Sequence, residues 1–303
     1  MTRVLVLGGS GMLGGMVAGV LSREENVSVT ATARDLLADR RARSPRCGWE
    51  PLDVESTSET DLEALLRGAD WVINAVGVIK SQIRDTDPGD VERAVRVNAL
   101  FPHVLARAAA RCGARVIQIA TDCVYSGARG GYVESDRHDA LDVYGKTKSL
   151  GEVPNEAVHN LRCSIVGPES RGHRSLLDWF RLQPARATVP GYVNHRWNGV
   201  TTLAFARLCL GIIREGAPQR IHVIPADQVD KAELLGLVRE AYSRQDVTIA
   251  PEKTPIAIDR TLATEHPAEN RALWRAAGYA AIPTIPEMVR EMAAFDARLG
   301  GTA

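Results

Sequence analysis

Through the first 165 or so positions, short β-favouring runs at 3–7, 27–33, 71–76, 115–120 and 161–166 alternate with longer stretches. In those stretches, at 12–22, 60–67, 90–111 and 144–153, apolar residues recur at helical spacing. Strands separated by amphipathic helices read as βαβ units. The pattern predicts an α/β fold with a doubly wound parallel sheet covered on both faces.

Beyond position 166 the alternation loosens. Pro168, Gly172, Pro184, Pro190 and Gly191 interrupt it, leaving one short helical stretch at 176–182. A helix over 201–214 and a strand over 221–224 follow, then helical segments, proline-rich loops and one short strand over 247–250. The expected organisation is a larger domain from residues 1–164 and 196–226, with a smaller, discontinuous one from 165–195 and 227–303. No internal repeat or low-complexity linker interrupts it.

Composition narrows the function classes. The 303 residues are 45% hydrophobic and 24% charged, as in ordinary globular chains. Lys+Arg and Asp+Glu are both 37, so no net field exists to hold a polyanion. Nucleic acid and acidic membrane surfaces are therefore not expected partners. Basic residues cluster once, at Arg34, Arg40, Arg41, Arg43 and Arg46. The five cysteines are scattered without a C-x-x-C, and the histidines show no ligand spacing. Reduced thiols in the cytoplasm and no structural metal are the expectation. Residues 4–21 carry no charge and superficially resemble a signal peptide or short span, but six of them are glycine. Each glycine costs a helix about 1 kcal/mol against alanine, so a strand, a loop and a helix start fit better.

That segment, VLVLGGSGMLGG, offers two registers, Gly9-x-Gly11-x-x-Gly14 and Gly8-x-x-Gly11-x-x-Gly14. Glycines serve where a backbone must approach a pyrophosphate, and the helix N-terminus adds free N–H groups and a positive dipole end. Gly8, Ser10, Gly11, Met12, Leu13 and Gly14 thus form a candidate dinucleotide loop in a Rossmann domain. Twenty residues past Gly14 stands Arg34, with Asp35 next. An arginine there suits the 2′-phosphate of NADP(H), an acid the ribose of NAD(H). NADP(H) is preferred on this reading, with NAD(H) possible. Asp53 and Val54 are expected at the adenine edge, and Ala75, Val76 and Gly77 where a ribose approaches the backbone.

The sharpest chemical signal is Tyr144-Gly-Lys-Thr-Lys148. Tyrosine and lysine four apart share one helix face, and a neighbouring ammonium should lower the phenol's pKa toward the working range. With six tyrosines and five lysines in the chain, about 0.1 such pairs arise by chance. Thr121 and Asp122 close the fifth strand, where open α/β sheets bind ligands. The Thr121 hydroxyl could polarise a carbonyl while Tyr144 delivers a proton. Asn98 precedes Pro102 by four, which frees the Asn98 carbonyl, and Asn98 is expected to anchor a water feeding the Tyr144–Lys148 proton path.

Taken together, INAVG, RVNAL, ATDCVYSG, GGYVESD, VYGKTKSLGE and RCSIVGP resemble the extended short-chain dehydrogenases/reductases, in their dTDP-4-dehydrorhamnose reductase-like branch. The resemblance covers about residues 3–168 and weakens beyond, although HRWNGVTT looks like a loop re-entering the cofactor domain. It implies reduction of a 4-keto nucleotide sugar by NAD(P)H, with Thr121, Tyr144 and Lys148 as the triad. It also implies a homodimer formed through the helices at 90–111 and 144–153. The branch usually reads S-T-D-Y-V-F-D-G, where this chain has Ala120, Cys123, Tyr125 and Ser126. Related dehydratases follow Thr-Asp with Glu, and Cys123 is a poor substitute for that acid. Lys80, Asp122, Cys123, Arg162, His195, Arg196 and Trp197 are the candidates to engage the substrate, by charge pairing or stacking. The alternatives are an epimerase or bifunctional epimerase–reductase, and a non-catalytic NADP-binding module like the regulatory β subunit of methionine adenosyltransferase.

Overall fold

Strand β1 (Thr2–Leu7) divides the molecule into two apolar layers. Val4 and Val6 face a core shared with α1 (Met12–Leu21), whereas Leu5 and Leu7 face one shared with α2 (Glu59–Leu66). Side chains alternate across a strand, so a strand covered on both sides reads as an unbroken apolar run. All four of these residues are at most 3% exposed. The computed structural model describes residues 1–36, 46–169, 175–218 and 220–300.

Six further strands join β1: β2 (Val27–Ala33), β3 (Cys47–Pro51), β4 (Trp71–Asn74), β5 (Arg115–Ile119), β6 (Val158–Arg162) and β11 (Arg220–His222). They form one parallel sheet in the order β11-β6-β5-β4-β1-β2-β3. The order reverses between β1 and β4, and at such a switch point the strand ends open a crevice. The doubly wound fold expected from the alternation is present.

Two elements differ from their patterns. The helix expected over 90–111 is α3 (Pro88–Ala94), one wider turn (Val95–Leu100) with π-type bonding, and α4 (Phe101–Cys112). Pro102 has no N–H to return to the Asn98 carbonyl, and the widened turn absorbs the missing bond. The run at 161–166 is divided between β6 and β7 (Ile165–Val166), which leaves the main sheet to pair with β10 (Val200–Thr201). Ser164 marks the exit: its carbonyl accepts the Val200 amide at 2.8 Å.

The remaining strands are short. β8 (Thr188–Tyr192) pairs with β13 (Thr248–Glu252), and β9 (His195–Trp197) lies between β12 (Val229–Asp230) and β14 (Ile258–Asp259). Pro190 sits in a two-stranded sheet, where a missing ladder donor is tolerated. Helix α5 (Val143–Leu150) precedes β6, and α6 (Leu176–Arg181) precedes β8. Helix α7 (Thr202–Glu215) packs on α1. A full capping box at Asp230 and Glu233 opens α8 (Lys231–Ala241), and α9 (Pro267–Ala276) and α10 (Ile285–Gly300) complete the chain. Among the described residues, no helix is long and apolar enough to cross a membrane.

Candidate active site

The glycine loop is shaped by close approaches. Gly8 has φ +78°, and a Cβ there would stand 3.1 Å from the Ala75 carbonyl. A Cβ on Gly14 would stand 2.3 Å from the Gly8 carbonyl, so α1 can meet the strand end only without a side chain at that position. Gly11 is the N-cap of α1, with no side chain capping its amides. Gly8, Ser10 and Gly11 line a cavity of about 210 Å³ together with Arg34, Asp53, Val54, Ala75, Val76 and Gly77. The register Gly8-x-x-Gly11-x-x-Gly14 is thus the one whose members turn the chain, cap the helix and permit its packing. Met12 and Leu13 begin α1, with Leu13 packed on the core. The open helix terminus, the glycine contacts and the cavity fit a dinucleotide.

The same cavity is bounded by residues the motif did not indicate: Thr32, Gln82 and the Glu55–Arg93 ion pair, 3.0 Å apart. Asp53 turns its carboxylate onto the Glu55 amide at 3.1 Å, which fixes the loop after β3. Arg40, Arg41 and Arg43 of the basic cluster lie outside the described residues.

At the end of β5, Thr121 extends into a short turn. Its hydroxyl donates to Asp122 at 3.2 Å and accepts the Cys123 amide at 3.1 Å. Tyr144 is the second residue of α5, whose N-cap Asp142 accepts from the Gly145 amide at 2.7 Å. Gly145 is what brings the helix this close, because a Cβ there would lie 2.4 Å from the Cys123 carbonyl. The Thr121 side chain lies beside the Tyr144 phenol. One turn on, the Lys148 ammonium donates to the Ile119 carbonyl at 2.7 Å and is 8% exposed. The three side chains therefore meet at the carboxyl ends of the sheet.

Their electrostatics correct one expectation. Burial, with Cys123 and the carboxyls of Asp122 and Asp142 nearby, pushes the Tyr144 phenol well above its ordinary value, and Thr121 only partly offsets this. Lys148 does not depress it, since its ammonium is turned to Ile119. Burial lowers Lys148 itself to about 8, opposed by Glu152. Burial also raises Asp122, against the pull of Arg260 and Lys231, and pushes the Cys123 thiol up to about 12.

Asn98 is held through its side-chain amide. Its amide accepts from the Val78 N–H and donates to the Val78 carbonyl, both at 2.9 Å, and donates to Thr147 at 3.4 Å. The backbone carbonyl released by Pro102 meets Gly151, where a Cβ would stand 2.0 Å away. Asn98 thus fastens the loop after β4 to α5.

Two substrate-side candidates are likewise corrected. Arg162 is fully buried and held by Glu152 at 2.6 Å, Tyr125 at 2.7 Å and His138 at 2.9 Å, besides His222. It has no surface to offer a diphosphate. Trp197 is 4% exposed, its indole N–H donates to Ser164 at 2.8 Å, and Lys231 covers its ring, so no base can stack there. Lys80 pairs with Asp142 at 2.7 Å at the crevice rim, His195 bonds Thr254 at 2.9 Å, and Arg196 is exposed on β9. Two cations distant in sequence, Lys231 and Arg260, act on Asp122, and neither carries a local sequence signature.

Residues 1–166 match the family model described as the RmlD substrate binding domain. The dTDP-4-dehydrorhamnose reductase of Mycobacterium tuberculosis (strain ATCC 25618 / H37Rv) is 33% identical over 142 residues, 43% of this chain and 45% of that protein. The chain thus spans under half the length of the curated relatives it matches. Among solved structures, the dTDP-4-dehydrorhamnose reductase of Bacillus anthracis str. Ames in complex with NADP superposes with a TM-score of 0.71 at 18% identity, over 96% of this chain and 98% of that one. The UDP-glucuronic acid 4-epimerase of Bacillus cereus with UDP-glucuronic acid and NAD gives 0.73 at 17%, over 98% and 100%. At these identities the likeness is one of fold.

Proposed function

The chain belongs to the RmlD substrate binding domain family, and from that premise we propose that it reduces the 4-keto group of a nucleotide-linked sugar with NADPH. The reading rests on one observation: Thr121 and Tyr144 lie side by side, with Lys148 one helical turn on, at the carboxyl ends of the sheet whose first strand runs into the glycine loop. A reduced nicotinamide supplies the hydride when bound. Thr121 orients the ketone oxygen and Tyr144 gives that oxygen its phenolic proton as the carbon is reduced. A phenol is protonated at neutral pH, so it can serve as the acid in this direction, and burial keeps it in that form further up the pH scale. Lys148, fixed on the Ile119 carbonyl one turn away, would hold the ribose of the bound cofactor beside the phenol.

Arg34, lining the cavity just after β2, is the group for a 2′-phosphate, with NAD(H) the weaker ligand. Asp53 and Val54 would hold the adenine edge. The substrate crevice lies against residues 165–195 and 227–303. There Lys231, Arg260 and Arg196, not Arg162, would meet a diphosphate, while Asp122 and Cys123 flank the sugar. A homodimer is part of the proposal, since Val95, Leu100 and Leu150 are 43%, 55% and 64% exposed along the helices at 88–112 and 143–150. So is a cytoplasmic location, which suits five unpaired thiols.

The test is NADPH oxidation by the purified protein with a panel of nucleotide-linked 4-keto sugars. Consumption with at least one supports the reading. Isomerisation without NADPH consumption indicates an epimerase, and cofactor binding with no conversion indicates a non-catalytic module.

A further inference from the structure

Away from the crevice, two distant segments bring metal-ligating groups together. One ligand atom each from Glu134, Glu265 and His266 lies within 4.8 Å of the others. Glu134 is 8% exposed, while Glu265 and His266 reach solvent. The carboxylate of Glu134 is oriented by the Thr264 hydroxyl at 2.7 Å, the Glu265 amide at 2.9 Å and the His222 amide at 3.1 Å. That of Glu265 is oriented by the Ser135 hydroxyl at 2.9 Å. These bonds fix both carboxylates and leave lone pairs open, as carboxylates accept at several sites.

A second observation points to a ligand. Asn160 on β6 lines the same cavity, of about 320 Å³, and is 2% exposed. Its amide nitrogen donates to the Val153 carbonyl at 2.9 Å, but its Oδ1 has no hydrogen-bond partner among the described residues. Leaving a buried acceptor unpaired is costly, so one that persists calls for an occupant. No lysine or arginine lines this cavity among the described residues, so no ammonium or guanidinium there separates the two carboxylates.

We propose that Glu134, Asn160, Glu265 and His266 bind one divalent first-row transition cation, Mn²⁺ or Zn²⁺. Three oxygen donors and an imidazole favour these ions over Mg²⁺, which binds imidazole poorly. The ligands need to close from 4.8 Å to the spacing set by bonds of about 2.1 Å, which side-chain rotation at exposed Glu265 and His266 permits. The bound cation ties residues 264–266, at the start of α9, to β6 of the central sheet. No sequence spacing reveals the site, because its donors are 131 positions apart at the widest carboxylate pair.

The experiment uses the full chain treated with EDTA and then dialysed. Mn²⁺ is titrated in and the free-ion electron paramagnetic resonance signal is read, with Zn²⁺ and Mg²⁺ as competitors. Saturable uptake of one equivalent is expected, displaced by Zn²⁺ and much less by Mg²⁺, with a rise of the melting temperature by a few degrees. His266→Ala and Glu265→Gln, both at exposed positions, should weaken uptake at least about tenfold and abolish the thermal shift. Asn160→Asp, adding a charge beside the cation, should strengthen it. No saturable uptake, undiminished uptake in His266→Ala, or equal competition by Mg²⁺ overturns the proposal.

Discussion

Replacing Gly145 by alanine tests whether one close contact builds the site. In an unobstructed helix this change stabilises by about 1 kcal/mol, because glycine is the poorer helix former. Here the added Cβ would stand 2.4 Å from the Cys123 carbonyl and 2.4 Å from the Ala140 Cβ. Carbon contacts are comfortable at about 3.5 Å or more, so α5 has to retreat by about 1 Å. Forced overpacking of this kind costs about 1–3 kcal/mol, which reverses the sign expected from propensity. The retreat carries Tyr144 away from Thr121, and misplacement by about 1 Å can lower turnover about a hundredfold. Differential scanning calorimetry should show Gly145→Ala melting several degrees below the parent. NADPH affinity by fluorescence titration should stay within a few-fold, as the glycine loop is untouched. A variant that melts higher, or turns over normally, refutes the claim that the helix is seated on the Cys123 turn.

Three further outcomes follow from the same geometry. Arg34→Ala should weaken NADPH binding about 10- to 100-fold by calorimetry while leaving NADH little changed, since a charge-assisted bond is worth about 1.5–3 kcal/mol; equal effects would contradict the 2′-phosphate role. Glu152→Gln leaves the buried Arg162 guanidinium without its counter-charge and should cost about 3–5 kcal/mol in urea unfolding; a change under about 1 kcal/mol would show that the network around it relaxes freely. Lys148, ordinarily near 10.5, is lowered to about 8 by burial. Between those values the unfolded chain holds the extra proton, so stability rises with pH through this window and the burial penalty is fully present below it. Lys148→Met should remove that rise, measured as the difference from the parent between pH 8 and 10; parallel curves would mean that Lys148 titrates normally.

Much of this was legible in the chain because local chemistry and tertiary role coincide. Gly11 and Gly14 are fixed by their contacts with Gly8, and Tyr144 and Lys148 by the pitch of one helix. The unbroken apolar run at 4–7 announced a strand covered on both faces. What escaped depends on distant partners. Nothing near Arg162 in sequence tells that Glu152, Tyr125, His138 and His222 enclose it, and an arginine read alone looks like a ligand. Trp197 is hidden by Lys231, and the strands at 188–201 are too short and too interrupted by proline and glycine to carry a period. The Tyr144 phenol went the other way from the spacing argument, because sharing a helix face does not decide where the Lys148 ammonium is hydrogen-bonded.

The central claim is that Tyr144 transfers the proton accompanying hydride transfer. Single-turnover oxidation of prebound NADPH, followed by stopped-flow fluorescence after mixing with a substrate found in the panel, addresses it most directly in the parent and in Tyr144→Phe. The account predicts rapid oxidation in the parent and a loss of at least about a hundredfold in the variant, with NADPH binding preserved. Oxidation at the parental rate in Tyr144→Phe would contradict it.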